Sequence, residues 1–217
     1  MEGTLTMRYL FLDASENTTF SQFGDGNRFF GHSFDTDRNL GARISEICDK
    51  MLAEAGCTFA DLDLLAVCTG PGSLTGLRVA AGFFRTLAFI SDKPLIGLDI
   101  FGWSLRTLHL QGINGEIKLV LPTLIDKAFV VSALADGDDL KYEPAQLCNR
   151  DEVSGTNAFS IKCDMPGLRR LEPTQQALHD FLLSKQTQGT KKFDDILGVL
   201  PMYVIQSQAE RKFEEKK

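Results

Sequence analysis

Residues 68–89, CTGPGSLTGLRVAAGFFRTLAF, hold the densest chemistry in the chain. Gly70 and Gly72 flank Pro71, so the backbone can turn sharply and present bare N–H groups. Ser73 is a good helix N-cap, which puts those groups at the positive end of a helix dipole. A turn of this kind suits a phosphate. The candidate phosphate or nucleotide contacts are Asp13, Ser15, Gly70, Gly72, Ser73 and Thr75. Arg78 falls in the first turns of the helix, where a cation opposes the dipole and calls for a distant carboxylate or an anion. The same spacing equally describes a tight strand-to-helix connection with Arg78 in a salt bridge. No lysine follows the second glycine block, so this is not a Walker loop.

Other chemistry is sparse. His32, His109 and His179 stand far apart, with no H-x-x-x-H or H-E-x-x-H pair to set two imidazoles on one helix face, so no metal site is expected. Each reads as a surface or loop histidine. The five cysteines are scattered without a C-x-x-C pair, as reduced and mostly buried thiols would be. No general base, nucleophile and oxyanion donor can be assembled from the spacing, and no catalytic residue is assigned.

The positioning elements follow from periodicity. Residues 8–14 (RYLFLDA) read as a buried strand ending in an acid, and strands over 18–24 and 28–34 flank the turn Gly24-Asp25-Gly26-Asn27. An amphipathic helix covers 39–55, with Leu40, Ile44, Ile47, Cys48, Met51, Leu52 and Ala55 at three- and four-residue steps, and Gly56 stops it. Strands over 62–69 and 94–100 bracket the glycine turn and its helix. The second half replays this plan: strands over 117–125, 129–135, 140–147 and 159–163, then a helix over 174–184 with Thr174 near its cap. Its middle stretch, 149–157, carries no strong period. Two β-β-β-α-β units imply a duplicated α/β fold, with domains at 1–102 and 103–217.

The helix after the glycine turn has two apolar stripes. Leu77, Ala81, Phe84 and Ala88 form one, with Ala80 and Leu87 beside it; Val79, Phe83, Thr86 and Ile90 form the other. One stripe can face a sheet. The second needs a cover, because burying such side chains contributes about 1.5–3 kcal/mol each. The cover is either the helix over 39–55 or another chain. Gly41, Ala42, Ala80, Ala81 and Gly82 permit close helix approach.

With 43% hydrophobic and 24% charged residues the chain has the composition of a soluble globular protein, and its net charge of −6 argues against unaided binding of a polyanion. No signal sequence opens it and no run of about 20 apolar residues interrupts it, which points to the cytoplasm. Residues 1–6 fit no pattern, and Met7 serves equally well as a start.

Residues 67–82, VCTGPGSLTGLRVAAG, resemble the signature of the TsaB (YeaZ) family. These are the non-catalytic partners of the TsaD threonylcarbamoyltransferase in bacterial tRNA modification. Asp13-Ala14-Ser15, the Leu52–Gly56 helix ending and the closing Pro201-Met202-Tyr203 with Gln208-Ala209-Glu210 agree. The resemblance implies an actin-like ATPase-type (ASKHA) fold of two β-β-β-α-β-α lobes, the second eroded. It implies a scaffold that pairs with TsaD-like and TsaE-like proteins to form N6-threonylcarbamoyladenosine at position 37 of tRNA, with tRNA reached only through the complex. It implies no cofactor of its own, ATP or ADP at a complex interface, and a homodimer when alone. The docking surface would be the two helices, through Leu40, Ile44, Ile47, Met51, Arg78, Val79, Phe83, Thr86 and Ile90. The alternative is an ATP-dependent phosphotransferase or ATPase of the same fold, using Asp13 and the 70–73 turn. Several positions depart from the family pattern: Leu40-Gly41 stand where a His-Ser or His-Thr is usual, Glu46 replaces a proline, and Ile205 an arginine. The segment after the second lobe's acid is shortened to Asp126-Lys127-Ala128.

Overall fold

A run such as YLFLD, with no polar interruption until its last residue, suits a strand buried on both faces. It forms β1 (Tyr9–Asp13), the centre of a five-stranded sheet. The computed structural model describes residues 7–26, 28–36, 39–123, 126–136, 139–184 and 196–202. Asn27, the end of the 117–125 strand and the Tyr203–Glu210 part of the closing signature lie outside them. On one side of β1, β2 (Thr18–Gly24) and β3 (Phe29–Asp35) pair antiparallel; on the other, β4 (Leu64–Gly70) and β5 (Leu95–Asp99) pair parallel.

One face of this sheet is covered by α1 (Leu40–Ala55) and α2 (Leu74–Ser91). Leu10, Leu12, Phe23, Leu65 and Val67 meet Ile44, Ile47, Met51, Ala80, Phe84 and Ala88 in a single cluster. All seven periodic residues of α1 are buried. Gly56, at φ 69, ends the helix by giving its N–H to Ala53 O while Cys57 N bonds Leu52 O. By length and composition α2 could cross a membrane, contrary to the composition reading, yet its buried side lies on this sheet.

The opposite face carries Phe11 and Phe20 against Trp103 of α3 (Ile100–Leu110), with α4 (Gln175–Ser184) packed on β3. The Thr174 hydroxyl caps α4 by accepting from Ala177 N at 3.2 Å. Periodicity missed α3, because polar Ser104 and Thr107 sit among its buried positions.

By compactness the chain divides into Met1–Trp103 with Thr174–Pro201, and Ser104–Pro173 with Met202–Lys217, so the 174–184 helix groups with the first unit. The second unit repeats the first sheet strand for strand. Its β6 (Gly115–Pro122) pairs antiparallel with β7 (Lys127–Asp136) and parallel with β10 (Ala158–Ile161), which is parallel to β11 (Arg169–Leu171). The third strand, expected unbroken over 140–147, is split into β8 (Asp139–Tyr142) and β9 (Gln146–Asn149). Pro144, which has no N–H for the ladder, falls between them. The crossovers have changed: Arg150–Glu152 makes a single 3-10 turn after β9, and residues 162–168 join β10 to β11 without a helix.

The turn opening α2 lies directly on the end of β1. Ser73 N donates to Ser15 O at 2.7 Å, and a Cβ on Gly76 would stand 2.2 Å from Ala14 O. Gly76→Ala should therefore lower unfolding free energy in urea by about 1–3 kcal/mol, the usual range for overpacking. Gly82→Ala, with nothing within 4 Å of the added carbon, should raise it by about 0.5–1 kcal/mol. Equal effects at both positions would contradict this packing.

Candidate functional site

The first unit brings together the candidate phosphate residues at the ends of β1 and β4. Asp13 is buried, and its Oδ1 accepts from Ser15 N at 2.9 Å. Ser15 O in turn accepts from Ser73 N, and a Cβ on Gly72 would lie 2.4 Å from that same oxygen. Gly70 takes a φ of 102 and donates its N–H toward Cys68 Sγ at 3.4 Å. Gly76 N turns back to Ser73 Oγ. Several of the backbone donors that a phosphate would meet are therefore used within the chain, and the glycines serve close backbone approach. Thr75 and Arg78 lie exposed on the first turns of α2.

The two-helix face differs from its sequence reading. Leu40, Ile44, Ile47 and Met51 were placed on the docking surface, but α1 has one apolar arc and the core takes all of it. These four side chains cannot meet another protein. Val79 and Phe83 are half-buried against the same core, with the Phe83 and Phe84 ring centroids 6.1 Å apart. Thr86 is exposed, its hydroxyl donating to Gly82 O at 2.9 Å. Ile90 is 70% exposed and Phe89 60%. The second stripe of α2 is thus covered by the chain itself along its first half and open at its end. Phe89 falls between the two stripes, so period counting passes over it. Elsewhere the outer sides of the helices present small residues, Gly41, Ala42 and Ser45 in the first turns of α1 and Gly82 midway along α2, with open space above both glycines.

The histidines are engaged individually. His32 Nε2 lies 2.9 Å from the Glu54 carboxylate and His109 Nδ1 lies 3.2 Å from Asn114 Oδ1. His179, read as a surface or loop residue, is instead buried on α4, where its ring meets the Tyr9 hydroxyl. Among the described residues no group of three or more His, Cys, Asp or Glu could hold a metal. The cysteines form no disulfide, but only Cys48 and Cys68 are buried, and burial pushes the Cys48 thiol up to about 12.

In the second unit Asp126 is exposed and its carbonyl accepts from Arg150 N at 2.7 Å. The Arg150 guanidinium binds Thr123 O and Lys127 O, closing the turn between β6 and β7. A groove of about 630 Å³ beside β7 and β8 mixes Glu116 and Glu143 with Lys118 and Lys141, a lining that selects no charge.

Residues 35–122, from β3 through β6, match the family model for TsaD, tRNA N6-adenosine threonylcarbamoyltransferase. The tRNA threonylcarbamoyladenosine biosynthesis protein TsaB of Haemophilus influenzae is 46% identical over 57 residues, 26% of this chain and 24% of that protein. A tRNA N6-adenosine threonylcarbamoyltransferase of Thermodesulfovibrio yellowstonii is 35% identical over 68 residues, 31% of this chain and 20% of that one. The matches thus span about a quarter or less of these relatives. YeaZ from Pseudomonas aeruginosa superposes with a TM-score of 0.72 at 17% identity, covering 91% of this chain and 99% of that one. Local sequence is shared with TsaB and TsaD proteins alike, whereas the whole-chain match is to YeaZ. The signature region is thus similar in sequence to TsaB and TsaD proteins, and the fold as a whole is the two-lobed actin-like α/β fold seen in YeaZ.

Proposed function

We propose that this chain is a non-catalytic scaffold and activator in N6-threonylcarbamoyladenosine formation at position 37 of tRNA. In this reading it pairs with a TsaD-like threonylcarbamoyltransferase and a TsaE-like ATPase in the cytoplasm. Alone it forms a homodimer. It reaches tRNA only within the complex, carries no cofactor of its own, and leaves ATP or ADP to an interface of the assembly. The observation that carries the reading is the open outer side of α2, where Phe89 and Ile90 stand exposed in the last turns with Gly82 two turns before them. Small residues let a partner helix approach closely, and the two apolar side chains supply the burial that holds it. The TsaB and TsaD names of the relatives point to the same tRNA modification. The closely packed glycine turn favours scaffold over phosphotransferase, because the Ser15 amide is taken by Asp13 Oδ1 and the Ser73 amide by Ser15 O.

The purified chain should hydrolyse no ATP yet support tRNA threonylcarbamoylation when mixed with a TsaD-like enzyme and a TsaE-like ATPase. Steady ATP turnover by the chain alone, abolished by Asp13→Ala, would replace this reading with the phosphotransferase one. Ile90→Asp and Gly82→Arg should weaken partner binding by about tenfold or more, at least 1.4 kcal/mol, with the thermal midpoint of Ile90→Asp unchanged and that of Gly82→Arg not lowered. Met51→Ala should instead lower stability by about 2–5 kcal/mol and leave the affinity of the folded fraction intact. Titration calorimetry and thermal melts on the three variants separate the two kinds of effect.

A further inference from the structure

A chain of buried polar groups fastens α4 to the first sheet. Gln22 Nε2 donates to the Tyr9 hydroxyl at 2.8 Å and to Gln175 O at 3.1 Å. The Gln175 carbonyl only accepts, so it fixes the Gln22 amide with its nitrogen toward Tyr9. Tyr9 Oη accepts from Gln22 Nε2, which cannot take its proton, and lies 3.0 Å from His179 Nδ1, so in the satisfied arrangement the hydroxyl donates there. That requires a lone pair on Nδ1. Tyr9 and Gln22 are fully buried and His179 is 5% exposed, with the Phe29 ring 4.8 Å away and the Tyr9 ring 5.7 Å away.

We propose that Tyr9 and His179 form a proton-operated latch: the neutral imidazole holds α4 on the sheet, and a proton on Nδ1 releases it. With both nitrogens protonated the ring can only donate, and the Tyr9 hydroxyl hydrogen faces an N–H where little water can intervene. The charged groups facing the ring are Asp180 on α4 itself and Asp25 in the turn after β2, the latter bonded to Arg28 at 2.8 Å. Both carboxylates favour the proton, but burial outweighs them and holds the imidazole below its usual value. The docked ring thus binds a proton more weakly than the released one. Docking is fully present above the ordinary imidazole value of about 6.5 and is lost as pH falls from there toward the lower docked value. Across that window the ratio of released to docked helix rises by up to about tenfold per pH unit.

Trp103, the sole tryptophan, is a built-in reporter, since its Nε1 donates to Thr174 O at the cap of α4 and its ring stacks on Phe20. In the full chain, lowering pH from about 7.5 to about 5, across the ordinary histidine range, should red-shift Trp103 emission. It should also speed amide exchange over 175–184, corrected for intrinsic rate, while β1 and β4 stay protected. His179→Asn, which offers an acceptor oxygen that does not titrate, should flatten both responses. A flat wild type, or a His179→Asn variant that follows the wild type, overturns the proposal. Should the variant not fold, the His179 ring titration by NMR in the wild type decides: a midpoint coinciding with the Trp103 transition supports the latch, and a separate midpoint overturns it.

Discussion

The contact on which the first unit depends is that between the glycine turn and the end of β1. Any side chain at Gly76 would sit 2.2 Å from Ala14 O, and at Gly72 2.4 Å from Ser15 O. With the Ser73–Ser15 hydrogen bond, this contact fixes where α2 starts and how it is rotated. Leu77, Ala80, Phe84 and Ala88 then fall on the sheet, and Gly82, Thr86 and Ile90 fall outward. What resembles a phosphate cradle in sequence is, in its packing, a device for setting a helix. The same geometry decides which apolar side chains remain for another protein.

Much of this was legible from residue order, because strong patterns met no competing constraint. The YLFLD and LLAVCT runs, the three- and four-residue steps of α1 and the Ser73 cap each specify one local structure. What the pattern could not supply was the identity of the covering element. Ile44 and Met51 look alike whether an arc faces a sheet or a partner, and only burial assigns them to the core. Phe83 and Ile90 share a stripe, yet α2 runs past its cover and leaves only the second in water. His179 was misplaced because a lone histidine in QQALHDFLL gives no hint of a tyrosine hydroxyl contributed by β1.

The second unit shows which part of a duplicated fold can be lost. Strand order and sense survive, since each strand's ladder needs only its neighbours. The crossover helices do not, and NRDEVSGTN over 149–157 and the short 162–168 link have no apolar stripe with which to build one. Arg150 takes over a local task, bonding the carbonyls of the β6–β7 turn. The second unit therefore retains the sheet of an actin-like lobe without its crossover helices.

The central claim is that the open end of α2 is where another protein sits. Hydroxyl-radical footprinting, with and without a TsaD-like partner, measures this at single side chains. The account predicts that labelling of Phe89 and Ile90 falls sharply on mixing, while Tyr142 and Leu147 on the second sheet are labelled as before. Unchanged labelling of Phe89 and Ile90 in a mixture that demonstrably binds would contradict it.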